Sequence, residues 1–231
     1  GMEYSSIDGT SFTTQFEESG RKYLEAIQAE AEEKVCQEKI AFHKYIWEGK
    51  PGPIITEFAD GLNVDLIVTG SNNRTGIERL FAGSVSNYIL QHSSCPVLVI
   101  KDASKLSSFK RILVAYDDSS QAAKALDTAI DIAKKTKAEI YLVTAYSLPI
   151  NYGVGYSGIA TDISVPFIKN TIKNINKIQA EALDKVKKEN IAVYAQVVEG
   201  KPGPCIVDLV EKLNADLIVI GSNNRGAVFR L

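Results

Sequence analysis

Apolar residues follow two alternating patterns through most of this chain. Runs of consecutive apolar residues, typical of strands buried in a parallel sheet, occur at Arg111–Tyr116, Ala138–Ala145, Ile191–Val198 and Asp216–Ile220. Between these runs, apolar residues suit one helix face, which predicts helices over Ser120–Lys135, Phe167–Glu189 and Pro202–Leu213. The glycine-rich segment Leu148–Pro166 is predicted to be a loop. This alternation predicts an α/β fold, in which right-handed crossovers join parallel strands and helices cover both faces of the sheet.

A long segment of the sequence occurs twice. Glu48–Leu80 reads EGKPGPIITEFADGLNVDLIVTGSNNRTGIERL, and Glu199–Leu231 reads EGKPGPCIVDLVEKLNADLIVIGSNNRGAVFRL. About 20 of these roughly 33 positions are identical at an offset of about 151 residues, the length of one ordinary domain. The repeat predicts two tandem copies of one domain, at 1–101 and 110–231, joined by a linker at 102–109.

The first copy begins later in the order of strands and helices than the second copy does. Its pattern predicts helices at Phe16–Gln37 and Ala82–His92 and strands at Ile40–Trp47, Asp65–Thr69 and Pro96–Ile100. It lacks counterparts of the first two strands, whereas the second copy lacks the last helix and the fifth strand. Both domains are therefore expected to be incomplete, either because the chain is a window of a longer tandem protein or because a swapped partner completes the first domain.

Composition narrows the classes of partner. The net charge of -2 provides no basic field, so no nucleic-acid partner is expected. No apolar run approaches the ~20 residues that span a bilayer, so no membrane partner is expected either. The cysteines Cys36, Cys95 and Cys205 lie in apolar stretches, which favours buried free thiols and a cytoplasmic protein.

The apolar strand in each repeated segment stops at Gly-Ser-Asn-Asn-Arg. Glycine and asparagine after a buried strand can adopt φ > 0 and point backbone N–H groups at an anion, and the arginine adds phosphate donors. The candidate residues are Gly70, Ser71, Asn73, Arg74, Gly221, Ser222, Asn224 and Arg225. An ordinary strand-to-helix turn is the alternative for both loops.

The sequence resembles the universal stress protein family, and in particular its tandem two-domain members. Three segments carry the resemblance: Ile112–Leu126, Ala215–Gly226 and Gly70–Lys101. The resemblance covers nearly the whole chain. It implies flavodoxin-like or Rossmann-like, doubly wound sheets in the order 3-2-1-4-5, and pairing of domains as a pseudo-dimer or homodimer.

The resemblance also implies a phosphate site. One subgroup of the family binds ATP through a glycine, two residues, a second glycine, nine residues, and a glycine followed by serine or threonine. Gly70 and the pair Gly83-Ser84 match this pattern, whereas Asn73 and Asn224 replace the second glycine. A helix would begin at Ser84, Val85 and Ser86, and its N-terminal N–H groups can hold phosphate. The alternative is that Ser84 and Ser86 are helix caps without a ligand.

The adenine end of the family's site would fall on Asp117 and Ala145. Ligands of open parallel sheets bind at the carboxyl ends of the strands where the strand order reverses, which in this order lies between the first and fourth strands. Asp117 and Gly221 would flank that point. The carboxylate could accept hydrogen bonds from the adenine amino group or from ribose, or it could cap the following helix.

These observations favour a binding module over an enzyme. The sequence shows no P-loop, no paired metal ligands and no Ser-His-Asp arrangement. We therefore expect a stress-type sensor or regulator that binds ATP or AMP, with Mg²⁺ accompanying ATP. A structural or interaction module of the same fold and a weak ATPase are the alternatives.

Overall fold

The computed structural model describes residues 9–71, 84–101, 109–147 and 161–222. Contacts between Cα atoms divide the chain into two compact units, Gly1–Val99 and Ile100–Leu231. The first unit contains α1 (Gly9–Gln37), α2 (Pro51–Leu62), β1 (Ile67–Gly70), α3 (Ser84–His92) and β2 (Val97–Ile100). The second contains β3 (Arg111–Ala115), α4 (Ser120–Thr136), β4 (Glu139–Tyr146), α5 (Thr161–Lys187), β5 (Val193–Glu199), α6 (Pro202–Leu213) and β6 (Leu217–Ile220).

The second unit is built on a four-stranded parallel sheet in the order β5-β4-β3-β6. Strands β3, β4, β5 and β6 are the first to fourth strands of the predicted fold, so the observed order is 3-2-1-4. The predicted fold class and the predicted neighbours of these strands are therefore confirmed. Ile112 pairs with Ile140 on one side and with Leu217 on the other, which makes β3 a central strand. The run of buried residues along β3 follows from this position, since both faces of a central parallel strand are covered.

Helices cover the two faces of this sheet unequally. On one face, Ile112, Val114, Ile140 and Leu142 pack with residues of α4 and α5, including Leu126 and Val186. On the other face, Leu113 and Val143 pack with Leu209 of α6. The helices that follow β3 and β4 therefore lie on one side, and the helix that precedes β6 lies on the other. This switch of sides is the doubly wound arrangement.

Two elements of the second unit differ from the prediction. Helix α5 begins at Thr161, so the last residues of the predicted Leu148–Pro166 loop belong to a helix that contains Pro166. Pro166 is the sixth residue of this helix, beyond the first turn, so its missing N–H leaves the carbonyl of Asp162 without the usual intrahelical hydrogen bond. Residues 148–160 of that predicted loop lie outside the described part of the chain.

The first unit is smaller. Its strands β1 and β2 form a two-stranded sheet. Ala59 of α2, Ile67 of β1 and Ile89 of α3 form its buried cluster, with Val85 and Val97 packed against them. β1 and β2 correspond to the fourth and fifth strands of the predicted order. The described sheet of this unit therefore contains the last two strands of the fold, whereas the sheet of the second unit contains the first four.

The predicted strand at Ile40–Trp47 is wrong, because these residues form no regular element. A strand needs a neighbouring strand to satisfy its backbone N–H and C=O groups, and the described residues of this unit provide none beside it. The segment instead lies against α1, where Gln28 Nε2 donates to the carbonyl of Tyr45 at 2.7 Å. The expectation of buried thiols is also wrong for Cys36, which is exposed on α1.

Candidate functional site

The candidate site lies at the carboxyl ends of the strands of the four-stranded sheet. Asp117 follows β3, Ala145 lies near the end of β4, and Gly221-Ser222 follow β6. Because β3 lies between β4 and β6 with all strands parallel, these residues emerge at one edge of the sheet. The strand order reverses between β3 and β6, so Asp117 and Gly221 flank the position at which ligands of such sheets bind.

The Asp117 carboxylate is anchored by the next turn of the chain. Its Oδ1 accepts hydrogen bonds from the backbone N–H of Ser119 at 3.1 Å and from Ser119 Oγ at 2.6 Å. Ser119 in turn is the N-cap of α4, since its Oγ accepts from the N–H of Ala122 at 3.1 Å. Asp117 therefore does not cap the helix directly but orients the residue that does. Both of its bonds within the described residues use Oδ1, so Oδ2 is the oxygen available to a donor on a ligand.

A tyrosine and a second carboxylate lie next to Asp117, and the sequence analysis missed both. The Tyr116 hydroxyl donates to Asp118 Oδ1 at 3.2 Å. Partial burial raises the pKa of Tyr116, and the negative charge of Asp118 raises it further. Asp118 has φ = 64°, a left-handed conformation that aspartate tolerates better than most residues. The sequence signal was the tripeptide Tyr-Asp-Asp directly after a buried strand.

Gly221 is needed for a close approach between two elements. A Cβ atom there would lie 2.6 Å from the backbone nitrogen of Ala122 and 2.6 Å from the carbonyl carbon of Gln121. The expected φ > 0 is not found at Gly221 or Gly70; among the described glycines, φ is positive at Gly49 and Gly200. A glycine between a strand and a helix can therefore be required by packing alone.

The positive-φ glycines belong to another part of the repeat. Gly49 and Gly200, with φ of 134° and 146°, each precede a Lys-Pro-Gly-Pro segment that begins a helix. A Cβ on Gly200 would lie 2.6 Å from Cys205 Sγ, so a side chain there would also require the Cys205 thiol to move. The duplicated Glu-Gly-Lys-Pro-Gly-Pro sequence thus leads into a helix in both copies, after β5 in the second unit and after an irregular segment in the first, and repetition was its signal.

The first unit brings together the other half of the predicted residues. Ser86 is buried, and its Oγ donates to the carbonyl of Gly70 at 3.1 Å, which ties α3 to the end of β1. Val85 packs against the core of this unit, whereas Ser84 is exposed at the start of α3 and Ser71 follows β1. Ser86 therefore has a structural bond in place of the predicted role as a helix cap. Asn73, Arg74, Gly83, Asn224 and Arg225 lie outside the described residues.

Another concave surface lies away from this site. A depression of about 780 Å³ lies at the amino ends of the strands, at the opposite end of β3 from Asp117. Two ion pairs lie in it, since Lys134 Nζ is 2.6 Å from Glu189 Oε2 and Arg111 Nε is 3.6 Å from Glu139 Oε1. Lys110 and Lys137 also line it. The depression lies at the opposite ends of the strands from the strand reversal beside Asp117, and none of the predicted site residues lines it.

Two features of the described residues concern other classes of function. No group of three or more His, Cys, Asp or Glu side chains in these segments is arranged to hold a metal ion. None of the helices in the described segments combines the length and the apolar character needed to cross a bilayer.

Comparison with known proteins identifies the family. The model of the universal stress protein family matches residues 3–101 and 108–231. The chain belongs to the universal stress protein family. The two matched segments correspond to the two copies of the repeat, in agreement with the resemblance found in the sequence.

Curated relatives in the universal stress protein family match parts of the chain. Universal stress protein MJ0531 of Methanocaldococcus jannaschii is 38% identical over 88 residues, which is 38% of this chain and 49% of that protein. Stress response protein NhaX of Bacillus subtilis is 28% identical over 140 residues, covering 52% of this chain and 84% of that protein. The match to universal stress protein Sll1388 of Synechocystis spans 57% of that protein. The chain thus spans about half the length of two of these relatives.

Solved structures support the same fold. A universal stress protein from Archaeoglobus fulgidus is similar with a TM-score of 0.65 and 25% identity, over 98% of this chain and 73% of that one. Protein PA1789 of Pseudomonas aeruginosa is similar with a TM-score of 0.67 and 14% identity, over 99% of this chain and 82% of that one. At 14% identity, the second similarity concerns the fold alone.

Proposed function

We propose that this universal stress protein binds an adenine nucleotide, ATP or AMP, as a sensor or regulator without dedicated catalysis. The observation that carries the proposal is the position of Asp117 beside the strand reversal between β3 and β6. Open parallel sheets bind ligands at that point, and the carboxylate there is exposed and held in place by Ser119.

The proposed recognition uses the polar groups at the edge of the sheet. Asp117 Oδ2 accepts a hydrogen bond from the adenine amino group or from a ribose hydroxyl. Ala145, at the end of the neighbouring strand, offers a small side chain and backbone groups beside the base. Gly221 and Ser222, which follow β6, would lie toward the phosphates. Mg²⁺ would enter with ATP, because the phosphates themselves supply oxygen ligands.

The absence of dedicated catalysis is part of the proposal. Asp117 is bound to Ser119, and Tyr116 donates to Asp118. These bonds give Asp117 and Tyr116 positioning roles at the end of β3, whereas phosphoryl transfer would also require a group that activates the attacking water. Bound nucleotide would then act by changing what the protein contacts, and not by being consumed.

Calorimetric titration of the full chain with ATP, with and without Mg²⁺, and with AMP tests the proposal. Asp117→Asn should weaken binding by about tenfold to a hundredfold, because a hydrogen bond to a charged group contributes about 1.5–3 kcal/mol. Asp131→Asn is the matched control, since it removes an exposed carboxylate from the same region of the chain, in the distal part of α4, and should leave the affinity unchanged.

Three outcomes would contradict the proposal in different ways. Folded protein that binds neither nucleotide would favour an interaction module of the same fold. Equal affinities of the wild type and Asp117→Asn would place the ligand elsewhere. Release of phosphate from ATP that Asp117→Asn abolishes would make the protein an ATPase.

A further inference from the structure

Strand β5 forms the border of the four-stranded sheet on the side away from β6. It pairs with β4, and among the described residues no strand lies on its other side. In the predicted order 3-2-1-4-5 the corresponding third strand is also terminal, because the fifth strand is added beside the fourth. β5 is therefore an edge strand for a reason that lies in the topology of the fold.

This edge strand lacks the features that usually prevent the addition of another strand. Protected edges carry charged side chains, prolines or bulges. Residues 190–198 contain no Lys, Arg, Asp, Glu or Pro. The register with β4 is continuous from Val193 to Glu199, so no bulge interrupts the strand. Tyr194 is 55% exposed, and Gln196 is exposed as well. A regular, uncharged and exposed edge of this kind is suited to pairing with an added strand.

The backbone of β5 presents alternate residues to the open side. The N–H of Ile140 donates to the carbonyl of Ala192, and the N–H of Gly200 donates to the carbonyl of Tyr146, so the even-numbered residues face β4. The odd-numbered residues point their N–H and C=O groups outward: Val193, Ala195, Val197 and Glu199. These residues are placed symmetrically about Gln196. Because antiparallel pairing joins outward-facing residues to each other, β5 can pair with its own copy in this register.

We propose that β5 pairs antiparallel with β5 of a second copy of this chain, about a two-fold axis at Gln196. In this register Val193 lies opposite Glu199 of the second copy, and Ala195 lies opposite Val197. These are the hydrogen-bonded pairs, and with their symmetry mates they supply about eight backbone hydrogen bonds. The two sheets then form one continuous sheet. No like charges lie opposite each other along the strand, because Glu199 is its only charged residue.

The side chains on one face of the strand fit this arrangement. Tyr194 is stacked on Tyr141 of β4, with ring centroids 5.1 Å apart. In the proposed register Tyr194 lies opposite Val198 of the second copy in a non-hydrogen-bonded pair, in which side chains are closest. Such aromatic and β-branched pairs stabilise sheets, and the axis forms this pair twice. A second copy is thus the occupant that fits, because both the backbone groups and the side chains match when the strand meets itself.

Helix α5 covers the other face along β5. Gln179 is buried there, and its Nε2 donates to the carbonyl of Gln196 at 2.6 Å, which fixes the helix over the middle of the strand. A two-fold axis perpendicular to the sheet keeps both helices on the same face, so the α5 helices of the two copies would lie side by side. The interface therefore adds helix packing to the strand pairing, which a pair of strands alone would need for stability.

The test is the oligomeric state of the full chain, measured by sedimentation equilibrium. The wild type should form a dimer at micromolar concentrations. Gln196→Lys places two ammonium groups beside each other on the axis and Gln196→Glu places two carboxylates there, so each variant alone should raise the dimer dissociation constant by about tenfold or more. An equal mixture of the two variants should recover the dimer, because opposite charges then meet on the axis. Thr128→Lys is the matched control, since it adds the same charge at an exposed position of α4 and should leave dimerisation unchanged.

Ala195→Pro gives a second, independent measurement. Proline removes an outward-facing N–H but no hydrogen bond to β4, so it should weaken the dimer by about tenfold or more while the sheet stays folded. Circular dichroism establishes that every variant is folded. A wild-type monomer would overturn the proposal, as would a dimer that Gln196→Lys and Ala195→Pro leave intact, because the contact would then lie on another surface. Failure of the mixed Gln196 variants to recover the dimer would overturn the two-fold register.

Discussion

A Cβ atom on Gly221 would lie 2.6 Å from the backbone nitrogen of Ala122, at the start of α4. This contact joins the end of β6 to the helix that follows β3, on the two sides of the strand reversal. The contact is between backbones, so no flexible side chain can move aside to relieve it. The separation of β6 from α4 at the candidate site is therefore set by the absence of a side chain at Gly221.

Gly221→Ala should destabilise the second unit by about 1–3 kcal/mol, because an inserted methyl group forces the backbone of α4 or β6 to shift. Urea denaturation measures the change. Gly70→Ala is the matched control in the first copy, since a Cβ on Gly70 would meet no atom of the described residues within 4 Å. It should change stability by no more than about 0.5 kcal/mol. Equal effects of the two substitutions would show that the contact seen at Gly221 is relieved at no cost.

Ser119→Ala should reduce stability by about 1 kcal/mol, because the N–H of Ala122 loses its capping acceptor. Ser120→Ala is the control, since Ser120 is exposed and its Oγ bonds to the side chain of Gln121. Thermal and urea denaturation measure both. A loss in Asp117→Ala without any loss in Ser119→Ala would contradict the geometry, because it would make Asp117 the capping residue.

The pKa of Tyr116 should lie above the ordinary value of 10.0. Burial of the phenol is the largest cause of this increase, and the nearby Asp118 is the second. Asp118→Asn should lower this pKa part of the way toward 10.0, because it removes the charge but not the burial. Asparagine also tolerates the left-handed backbone at this position. Ultraviolet difference titration of the wild type against Tyr116→Phe measures the phenol.

The same shift predicts how stability depends on pH. Because folding raises the pKa of Tyr116, its contribution to stability is complete below the pKa of the unfolded chain and is lost as the pH rises through the folded value. The alkaline loss of stability should therefore be smaller in Tyr116→Phe than in the wild type. An unchanged alkaline profile, or a Tyr116 that titrates below 10.0, would contradict this prediction.

Much of the fold could be predicted because its signals are local. The consecutive apolar residues of Arg111–Ala115 and the proline at the start of α6 identify a buried strand and a helix start without knowledge of their neighbours. The duplicated segment added the existence of two related units. The order of the strands followed from the family resemblance, and pairing of β3 with both β4 and β6 confirms it.

What the sequence could not predict depends on distant partners. Ile40–Trp47 has the composition of a strand, but a strand exists only where another strand pairs with it. Ser86 was predicted to be a phosphate ligand or a helix cap, and the structure adds that it is buried and that its Oγ donates to the carbonyl of Gly70. Tyr116 and Asp118 were missed because their interaction depends on the turn after β3.

The sequence by itself determined most of the helices and strands, the duplication and the family, because periodicity and repetition are properties of neighbouring residues. Only the tertiary structure decided why Gly221 is glycine, what Asp117 and Ser86 bind, and why Ile40–Trp47 is not a strand. These depend on atoms that are far apart in the chain and approach each other only in the folded protein. Gly52 and Gly203 occupy the same position in the repeat, and among the described residues a side chain, the ring of Tyr88, packs over Gly52 only.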